Sequence, residues 1–262
     1  MIQTIQSKLY DHPWRDNIVY FEQIDSTNTY AKTLAHQGAP HGTVVLADSQ
    51  TAGRGRLGRT FNSPKAMGIY LSVILRPNCK PQELMHLTCV CGVAACRAVE
   101  KTNGIQPGIK WTNDLVLGKR KLGGILTELA VDPATGLVDW VIVGIGINCC
   151  QKESDFPPEL QSMACSLGIP SEKRGDLAAS LILQLYQMQQ DLFTKKDAYM
   201  DAFRKLCITI NQRICLLQGD HVRYGTARYV HDDGSLEVIF DDGTNQAVAS
   251  GEVSIRGMYG YV

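Results

Sequence analysis

The segment from Gly53 to Arg59 reads GRGRLGR and combines three arginines with three glycines. Glycine lets the backbone approach a ligand closely, and each guanidinium offers a rigid fork of donors that suits a phosphate or a carboxylate. Three neighbouring cations repel one another unless an anion lies among them. We therefore expect this segment, called the arginine loop below, to bind an anion. On its own it also fits a solvated basic turn or a nucleic-acid-binding patch.

The overall charge of the chain argues against nucleic acid. The sequence has 26 Lys and Arg residues against 26 Asp and Glu residues, which gives a formal net charge of zero. A chain that neutralises many phosphates normally carries a basic excess. The positive charge of the arginine loop is therefore a local feature.

Length and composition indicate a globular protein. With 262 residues, of which 44% are hydrophobic, the chain can form one sizeable core and a small second domain. Its N-terminus lacks a basic stretch followed by an apolar run, and the sequence contains no run of about 18 apolar residues. We therefore expect a cytoplasmic protein that neither enters nor crosses a membrane.

The nine cysteines do not form a metal-binding pattern. None of them makes a CxxC pair, and zinc sites normally show paired ligands at short spacings. A small buried thiol behaves as a hydrophobic side chain, and cytosolic thiols stay reduced. We expect the cysteines to be buried and reduced.

Hydrophobic periodicity and turn residues predict alternating strands and helices over most of the chain. We expect a helix capped by Asp25 or Ser26 that stops at Gly38. The other predicted elements are strands at 17–24, 43–47, 69–75, 108–111, 124–129 and 140–147, and helices at 84–99, 176–193 and 196–206.

The pattern changes after Asn211. Four or five short strands follow, separated by turns at Gly219-Asp220, Asp233-Gly234 and Asp242-Gly243. Such a run of strands predicts a small barrel. We therefore divide the chain into domains at residues 1–211 and 212–262.

Four clusters of polar residues lie at the ends of the predicted strands, where a sheet would present them to a shared cleft. Each cluster alone has an ordinary alternative, such as a helix cap, a solvated charge cluster or a glycine turn. The clusters are Ser26-Thr27-Asn28, Gln50 with the arginine loop, Lys110 to Asp114 with Lys121, and GIGIN, which ends at Asn148.

The third cluster indicates the chemistry. Lys110 and Lys121 bracket Asn113 and Asp114 across a predicted turn. Together with three arginines, these residues supply five cations and one carboxylate, a set that suits a nucleoside triphosphate with its magnesium ion. We therefore expect nucleotidyl transfer.

The order of the motifs resembles the biotin protein ligase family over about Phe21 to Arg256. The matching segments are STN, QTAGRGRLGRTFNSP, KWTND, RKLGGILTE, GIGIN and SGEVSIRG. The resemblance implies a mixed α/β core, related to class II synthetases and lipoate ligases, followed by an SH3-like barrel. It also implies an enzyme that uses ATP and Mg²⁺ to convert biotin to biotinyl-AMP and passes biotin to a lysine of a biotin carboxyl carrier domain.

The resemblance assigns roles to residues of this chain. Arg54, Arg56, Lys110 and Lys121 correspond to the catalytic cations, and Asp114 to a magnesium ligand. Biotin-binding positions are Ser26, Thr27, Asn28, Gln50, Gly53, Arg54, Arg56 and Lys121. Positions for ATP and the adenylate are Arg56, Arg59, Phe61, Lys110, Asn113, Asp114 and Asn148. Phe61 and Thr112 depart from the tryptophan and proline that are usual in the family.

Three other functions fit parts of the sequence. One is a lipoate or octanoate ligase or transferase on the same core, and another is an inactive ligand-sensing module. The third is single-stranded nucleic acid binding through Tyr224, Tyr229 and Phe240. Because little sequence precedes the first predicted strand, we expect no DNA binding. The carboxylase that accepts biotin stays open, as does the choice between monomer and homodimer.

Overall fold

The computed structural model of the chain describes residues 1–218, 221–249 and 254–257. The helices are Ile2–Lys8 (α1), Thr27–His36 (α2), Leu87–Asn103 (α3), Arg174–Asp191 (α4) and Lys196–Leu206 (α5). The strands of the larger sheet are Ile18–Phe21 (β1), Val44–Ala47 (β2), Gly68–Leu75 (β3), Gly108–Lys110 (β4), Asp114–Leu117 (β5), Arg120–Val131 (β6) and Val138–Asn148 (β7). Those of the smaller sheet are Arg213–Gln218 (β8), His221–Val230 (β9), Leu236–Phe240 (β10), Asn245–Val248 (β11) and Ser254–Gly257 (β12).

The larger sheet has seven strands in the order β1-β2-β3-β7-β6-β5-β4. Strands β1 and β2 are parallel, and the remaining neighbours are antiparallel. Its register places one residue of each strand in a single row that crosses the sheet. The row runs Phe21, Ala47, Tyr70, Gly146, Gly124, Asp114 and Lys110. Segments that are distant in sequence therefore meet along this row.

The two faces of the larger sheet are covered differently. Successive strand residues point to opposite faces, so Val44, Leu46 and Val73 belong to the main core that α3 and α4 cover. The intervening Val45 and Ile74 pack against α2 on the other face. The row described above lies on the α2 face, beyond the N-terminus of that helix.

Local sequence signals account for the helix ends. Ser26 caps α2, since its side chain accepts a hydrogen bond from the backbone N–H of Thr29. Gly104 ends α3 in the left-handed region, with φ of 65°, and its N–H bonds to the Glu100 carbonyl. Helix α5 has the bounds that its apolar periodicity predicts.

Several elements differ from the sequence-based predictions, most of them by a few residues at their ends. The segment after Lys110 is not one turn between two lysines, because Asp114 begins β5 and a second turn leads into β6. The helix expected at 84–99 begins at Leu87, after a short 3₁₀ turn. Helix α1 was not expected, since seven residues give too little periodicity to recognise.

The smaller sheet has the order β11-β10-β9-β8-β12 and is antiparallel throughout. Gly234 and Gly243 have φ of 85° and 82°, which confirms the predicted turns at these two positions. The predicted turn at Gly219-Asp220 lies outside the described residues, as does the start of the SGEVSIRG segment. A mixed α/β unit with a small SH3-like antiparallel sheet confirms the expected fold class, although the described residues of β11 and β12 do not pair to close the expected barrel.

The domain boundary near residue 211 stays a prediction. Strand β8 begins at Arg213, close to that point. Among the described residues, no helix combines the length and the apolar character needed to cross a membrane.

Candidate active site

Five residues of the row, Tyr70, Gly146, Gly124, Asp114 and Lys110, and the N-terminus of α2 border a cavity of about 650 Å³. All four sequence-predicted clusters contribute to its walls. The predicted site residues that line it are Ser26, Thr27, Asn28, Gln50, Arg54, Arg56, Arg59, Phe61, Lys110, Asn113, Asp114, Lys121 and Asn148.

Gly53 lies behind the cavity wall. A Cβ atom at this position would come within 2.4 Å of the Phe61 carbonyl oxygen and 2.7 Å of Ser63 Oγ. Any side chain would therefore push the start of the arginine loop away from the segment that follows it. Gly53 allows the two segments to lie close together.

One wall is a connected set of hydrogen bonds at the start of α2. The N–H of Thr27 donates to Gln50 Oε1 at 2.8 Å, and Gln50 Nε2 donates to Ser63 Oγ at 2.8 Å. Ser72 Oγ lies within hydrogen-bond distance of Thr27 Oγ1, at 2.8 Å. Ser26 and Thr27 are both buried. These side chains are therefore fixed before a ligand arrives.

Asn28 is turned into the same wall. Its Oδ1 accepts from Ser72 Oγ at 2.6 Å, and its Nδ2 donates to Glu128 Oε2 at 3.0 Å. A Cβ at Gly144 would lie only 1.9 Å from Asn28 Oδ1. Asn28 Nδ2 also donates to the Leu126 carbonyl at 3.3 Å, so both of its N–H groups bond to the protein and Asn28 braces the wall. Its predicted contact with a ligand stays a prediction.

The arginine loop is a tight turn. The N–H of Gly55 donates to the Arg59 carbonyl at 2.7 Å. Leu57 and Gly58 both have positive φ, of 56° and 72°. A positive φ is strained for a residue with a side chain such as Leu57, which is 62% exposed. The turn projects its side chains over the cavity rather than into the core.

The arginines are held at two points. Arg56 Nη1 donates to Asn113 Oδ1 at 2.9 Å, and Arg54 Nη2 lies 3.6 Å from Glu128 Oε1. Burial lowers the pKa of Arg56 below its ordinary value, and Arg59 also lowers it, whereas the Asp114 carboxylate raises it. A guanidinium remains charged at neutral pH despite such a shift. Arg56 therefore brings a fixed positive charge to the third cluster.

The third cluster is built on β4, β5 and β6. Lys121 Nζ donates to Asp114 Oδ1 at 2.6 Å, and Asn113 Nδ2 donates to the same oxygen at 3.1 Å. Lys110 is 8% exposed. Asp114 is the acidic residue among the described residues that line this cavity. A lysine and a carboxylate in contact can orient one another before an anionic ligand binds.

Phe61 and Asn148 also line the cavity. A Cβ at Gly146 would come within 2.5 Å of the Phe61 ring, and the Phe61 and Tyr70 rings meet edge to face with centroids 6.4 Å apart. Asn148 Nδ2 donates to the Cys165 carbonyl at 3.0 Å. Phe61 thus offers an aromatic surface, and Asn148 secures the end of β7.

Comparison with known proteins decides the family. Residues 20–148 match the model of the biotin/lipoate A/B protein ligase family. The bifunctional ligase/repressor BirA of Bacillus subtilis is 36% identical over 234 residues, which cover 87% of this chain and 70% of that protein. The chain belongs to the biotin protein ligase family. It is therefore an enzyme of the ligase class.

Two further relatives agree with this family assignment. The biotin--[acetyl-CoA-carboxylase] ligase of Mycobacterium tuberculosis is 30% identical over 237 residues, covering 88% of this chain and 86% of that protein. The structure of biotin protein ligase from Aquifex aeolicus in complex with biotin and ATP matches with a TM-score of 0.76 and 28% identity. That match covers 92% of this chain and 99% of the other.

Sequence reasoning missed several residues that complete the site of this family member. Ser72 is the polar residue in the otherwise apolar strand IYLSVIL, and Glu128 is the charged residue in ILTELAV. A single polar residue within a buried strand is the signal that could have found them, because such a group needs a partner. Tyr70 also lines the cavity, and so does Trp111, which lies within the third predicted cluster but had no role assigned to it.

Proposed function

We propose that this protein uses ATP to convert biotin to biotinyl-AMP and then transfers biotin to a lysine of a biotin carboxyl carrier domain. One observation carries the proposal: a single cavity joins a fixed wall of neutral hydrogen-bonding groups to three arginines and two lysines. A neutral polar ring with a carboxylate tail, placed next to a triphosphate, needs both kinds of surface.

The ureido ring of biotin fits the wall at the start of α2. That ring presents N–H donors and a carbonyl acceptor, and Ser26, Thr27 and Gln50 offer hydroxyl and amide groups in fixed positions. We assign these three residues to the ring. Hydrogen bonds that are already oriented lower the ordering cost of binding.

The biotin carboxylate and the phosphates fit the cationic side. In the first step, a carboxylate oxygen forms a bond to the α-phosphorus and the bond to the pyrophosphate leaving group breaks. Both partners are anions, so fixed cations must offset their repulsion. We assign Lys121 and Arg54 to the carboxylate, and Lys110, Arg56 and Arg59 to the phosphates.

Asp114 fits a role in holding Mg²⁺ with the nucleotide. Magnesium in nucleotide sites is commonly held by one or two carboxylates together with phosphate oxygens. No group of three His, Cys, Asp or Glu side chains suited to a metal ion occurs among the described residues. The ion would therefore depend on the phosphates for most of its ligands, and it would supply charge neutralisation there.

In the second step, the amine of the acceptor lysine attacks the acyl carbon of biotinyl-AMP. A C–N bond forms, the C–O bond to the phosphate breaks, AMP leaves and the amine loses a proton to solvent. The mixed anhydride must be shielded from water until that amine arrives. We assign the shielding to the arginine loop, which lies over the cavity and is tied to Asn113 through Arg56.

The test is a labelling reaction. The protein is incubated with ATP, Mg²⁺, biotin and a recombinant biotin carboxyl carrier domain, and the mass of the acceptor is measured. We expect the mass of one biotinyl group on one lysine, and no gain when that lysine is replaced by arginine. Parallel reactions contain lipoate or octanoate instead of biotin. Transfer of either acid in preference to biotin, or no transfer at all, would contradict the proposal.

A further inference from the structure

Trp111 connects the KWTND segment to the smaller sheet. Its indole Nε1–H donates to the carbonyl of Gly234 at 2.9 Å, and its backbone N–H donates to Thr209 Oγ1 at 2.9 Å. Trp111 is buried. The residue that follows Lys110 is thus fixed from outside the larger sheet.

The strand that carries Lys110 is held by the same part of the chain. Strand β4 is the outer strand of the larger sheet. The N–H of Ile208 donates to the Ile109 carbonyl at 2.9 Å. A Cβ at Gly108 would come within 2.7 Å of the Ile208 side chain. Residues 207–209, which lead to the smaller sheet, therefore support β4 along its outer side.

The turn that contains Gly234 is rigid. Its backbone closes through the N–H of His231, which donates to the Ser235 carbonyl at 2.9 Å. The Ser235 N–H and Oγ donate to Asp233 Oδ1 at 2.8 Å and 2.6 Å. Gly234 has φ of 85°, and a Cβ there would lie 3.1 Å from Cys89 Sγ. The direction of the Gly234 carbonyl is consequently fixed.

A second contact ties this turn to the larger domain. Arg204 of α5 donates through Nε to the Val230 carbonyl at 2.7 Å and pairs with Asp232. The Arg204 guanidinium also lies 4.7 Å from the ring centroid of Tyr229. The turn at 231–235 is therefore clamped between α5 and Trp111.

We propose that the turn at 231–235 is a positioning element for the phosphate side of the active site. The Gly234 carbonyl fixes Trp111, and Trp111 fixes Lys110 on one side and Thr112 and Asn113 on the other. The inference rests on the proposed function, because that function assigns Lys110 to the phosphates. The hydrogen bonds of Thr27 and Gln50 do not involve the turn. The smaller sheet thus influences the binding of ATP and does not influence the binding of biotin.

The first test replaces Trp111 by phenylalanine, which keeps an aromatic ring and removes the N–H donor. We expect the KM for ATP in biotinyl-AMP formation to rise about tenfold, the effect of losing one buried hydrogen bond. Biotin affinity without ATP, measured by calorimetry, should not change. Trp140→Phe is the matched control, since Trp140 is equally buried and its Nε1 has no hydrogen-bond partner among the described residues. It should leave the KM for ATP unchanged.

A second variant separates positioning from direct contact, because Trp111 itself lines the cavity. Arg204→Gln removes the ion pair with Asp232 on the far side of the turn. We expect it to raise the KM for ATP severalfold, and the double variant with Trp111→Phe to be no worse than Trp111→Phe alone. Should Arg204→Gln not fold, Ser235→Ala, which loses the bond to Asp233, takes its place.

The outcomes distinguish this inference from the proposed function. Wild-type protein that forms biotinyl-AMP in the same assay upholds the proposed function. An unchanged KM for ATP in Trp111→Phe would then overturn the inference alone. Additive effects of the two substitutions, or an equal loss of biotin affinity, would overturn it as well.

Discussion

The two walls of the cavity differ in how firmly they are held. In the fixed wall, made of Ser26 to Asn28 with Gln50 and Ser72, each side chain is bonded to another part of the protein. In the arginine loop, Arg56 is bonded to Asn113, but the side chain of Arg54 is 45% exposed and its partner Glu128 is 3.6 Å away. The fixed wall is part of the core, whereas the arginine loop lies over it.

This difference matches what each wall has to recognise. A neutral ring is recognised by the direction of hydrogen bonds, which requires groups that are already oriented. An anion is recognised by charge, which acts over a longer distance and tolerates movement. A loop over a cavity can also open to admit the substrate and then close over a reactive product. The comparison predicts that substitutions in the fixed wall change stability, whereas substitutions in the arginine loop change ligand release.

The largest effect is expected from Gly144→Ala in the fixed wall. The new Cβ would lie 1.9 Å from Asn28 Oδ1, so Asn28 must move and its bond to Ser72 breaks. We expect the free energy of unfolding to fall by about 3 kcal/mol, the upper part of the range for overpacking. Biotin affinity should fall as well. Chemical denaturation and calorimetry measure the two effects.

Gly124→Ala is the matched control for stability. It lies on the same face of the sheet, and its nearest neighbours to an added Cβ are at 3.5 Å, an ordinary contact distance. Replacing a strand glycine by alanine reduces the entropy of the unfolded chain, so the variant should be as stable as the wild type or slightly more so. Equal destabilisation of both variants would show that the wall around Asn28 is not specially constrained.

The sequence predicted the residues of the site better than their partners. Ser26 as a helix cap and the arginine loop as a cationic segment follow from local patterns, because capping and charge depend on neighbours in sequence. The contact of Asn28 with Glu128 joins residues 100 positions apart. No periodicity encodes such a pair. It depends on the register of β6 against β7, which forms only when the sheet assembles.

The same reason explains the wrong turn after Lys110. Strand β5 has four residues, too few for an alternating pattern to be recognised. Asp114 was therefore expected in a turn, although its place in the cross-strand row beside Lys110 is set by pairing with β4 and β6. Local chemistry identifies candidate groups, and long-range register decides which of them meet.

The next largest effect is expected from Arg56→Gly in the arginine loop. The substitution removes the bond to Asn113 at 2.9 Å and leaves the fixed wall intact. A hydrogen bond to a charged group contributes about 1.5–3 kcal/mol, so biotinyl-AMP should dissociate roughly 10 to 100 times faster. Free biotinyl-AMP, separated from the protein by rapid filtration, measures the release.

Arg56→Lys is the matched variant, because it keeps the charge and loses the planar fork of donors. We expect release between that of the wild type and that of Arg56→Gly, with unfolding free energies close to the wild type for both. A variant that still forms biotinyl-AMP but releases it no faster would remove the closing role from Arg56. Strong destabilisation by Arg56→Gly would instead show that the arginine loop belongs to the core.

The last effect is absent at neutral pH, and it concerns helix α3, which covers the opposite face of the sheet. Helix α3 packs against β4 and β6, with an added Cβ at Gly92 falling 3.1 Å from Ile109 and 3.6 Å from Ile125. Burial raises the pKa of the Cys96 thiol from 9.0 to about 12, and Glu100 also raises it. The folded protein thus keeps a proton that the unfolded chain loses above pH 9.

The sign of this shift fixes the direction of the pH dependence. Below pH 9 the Cys96 thiol is protonated in both states and has no effect on stability. As the pH rises from 9 to 12 the unfolded chain is favoured, and the free energy of unfolding falls by up to about 1.4 kcal/mol per pH unit for such a thiol.

Cys96→Ala should make this decline shallower, as measured by denaturation at pH 8, 10 and 11. Cys215→Ala, at a half-buried position of the smaller sheet, is the control. If both variants follow the wild-type curve, water reaches Cys96, and the support behind the fixed wall is looser than its burial indicates.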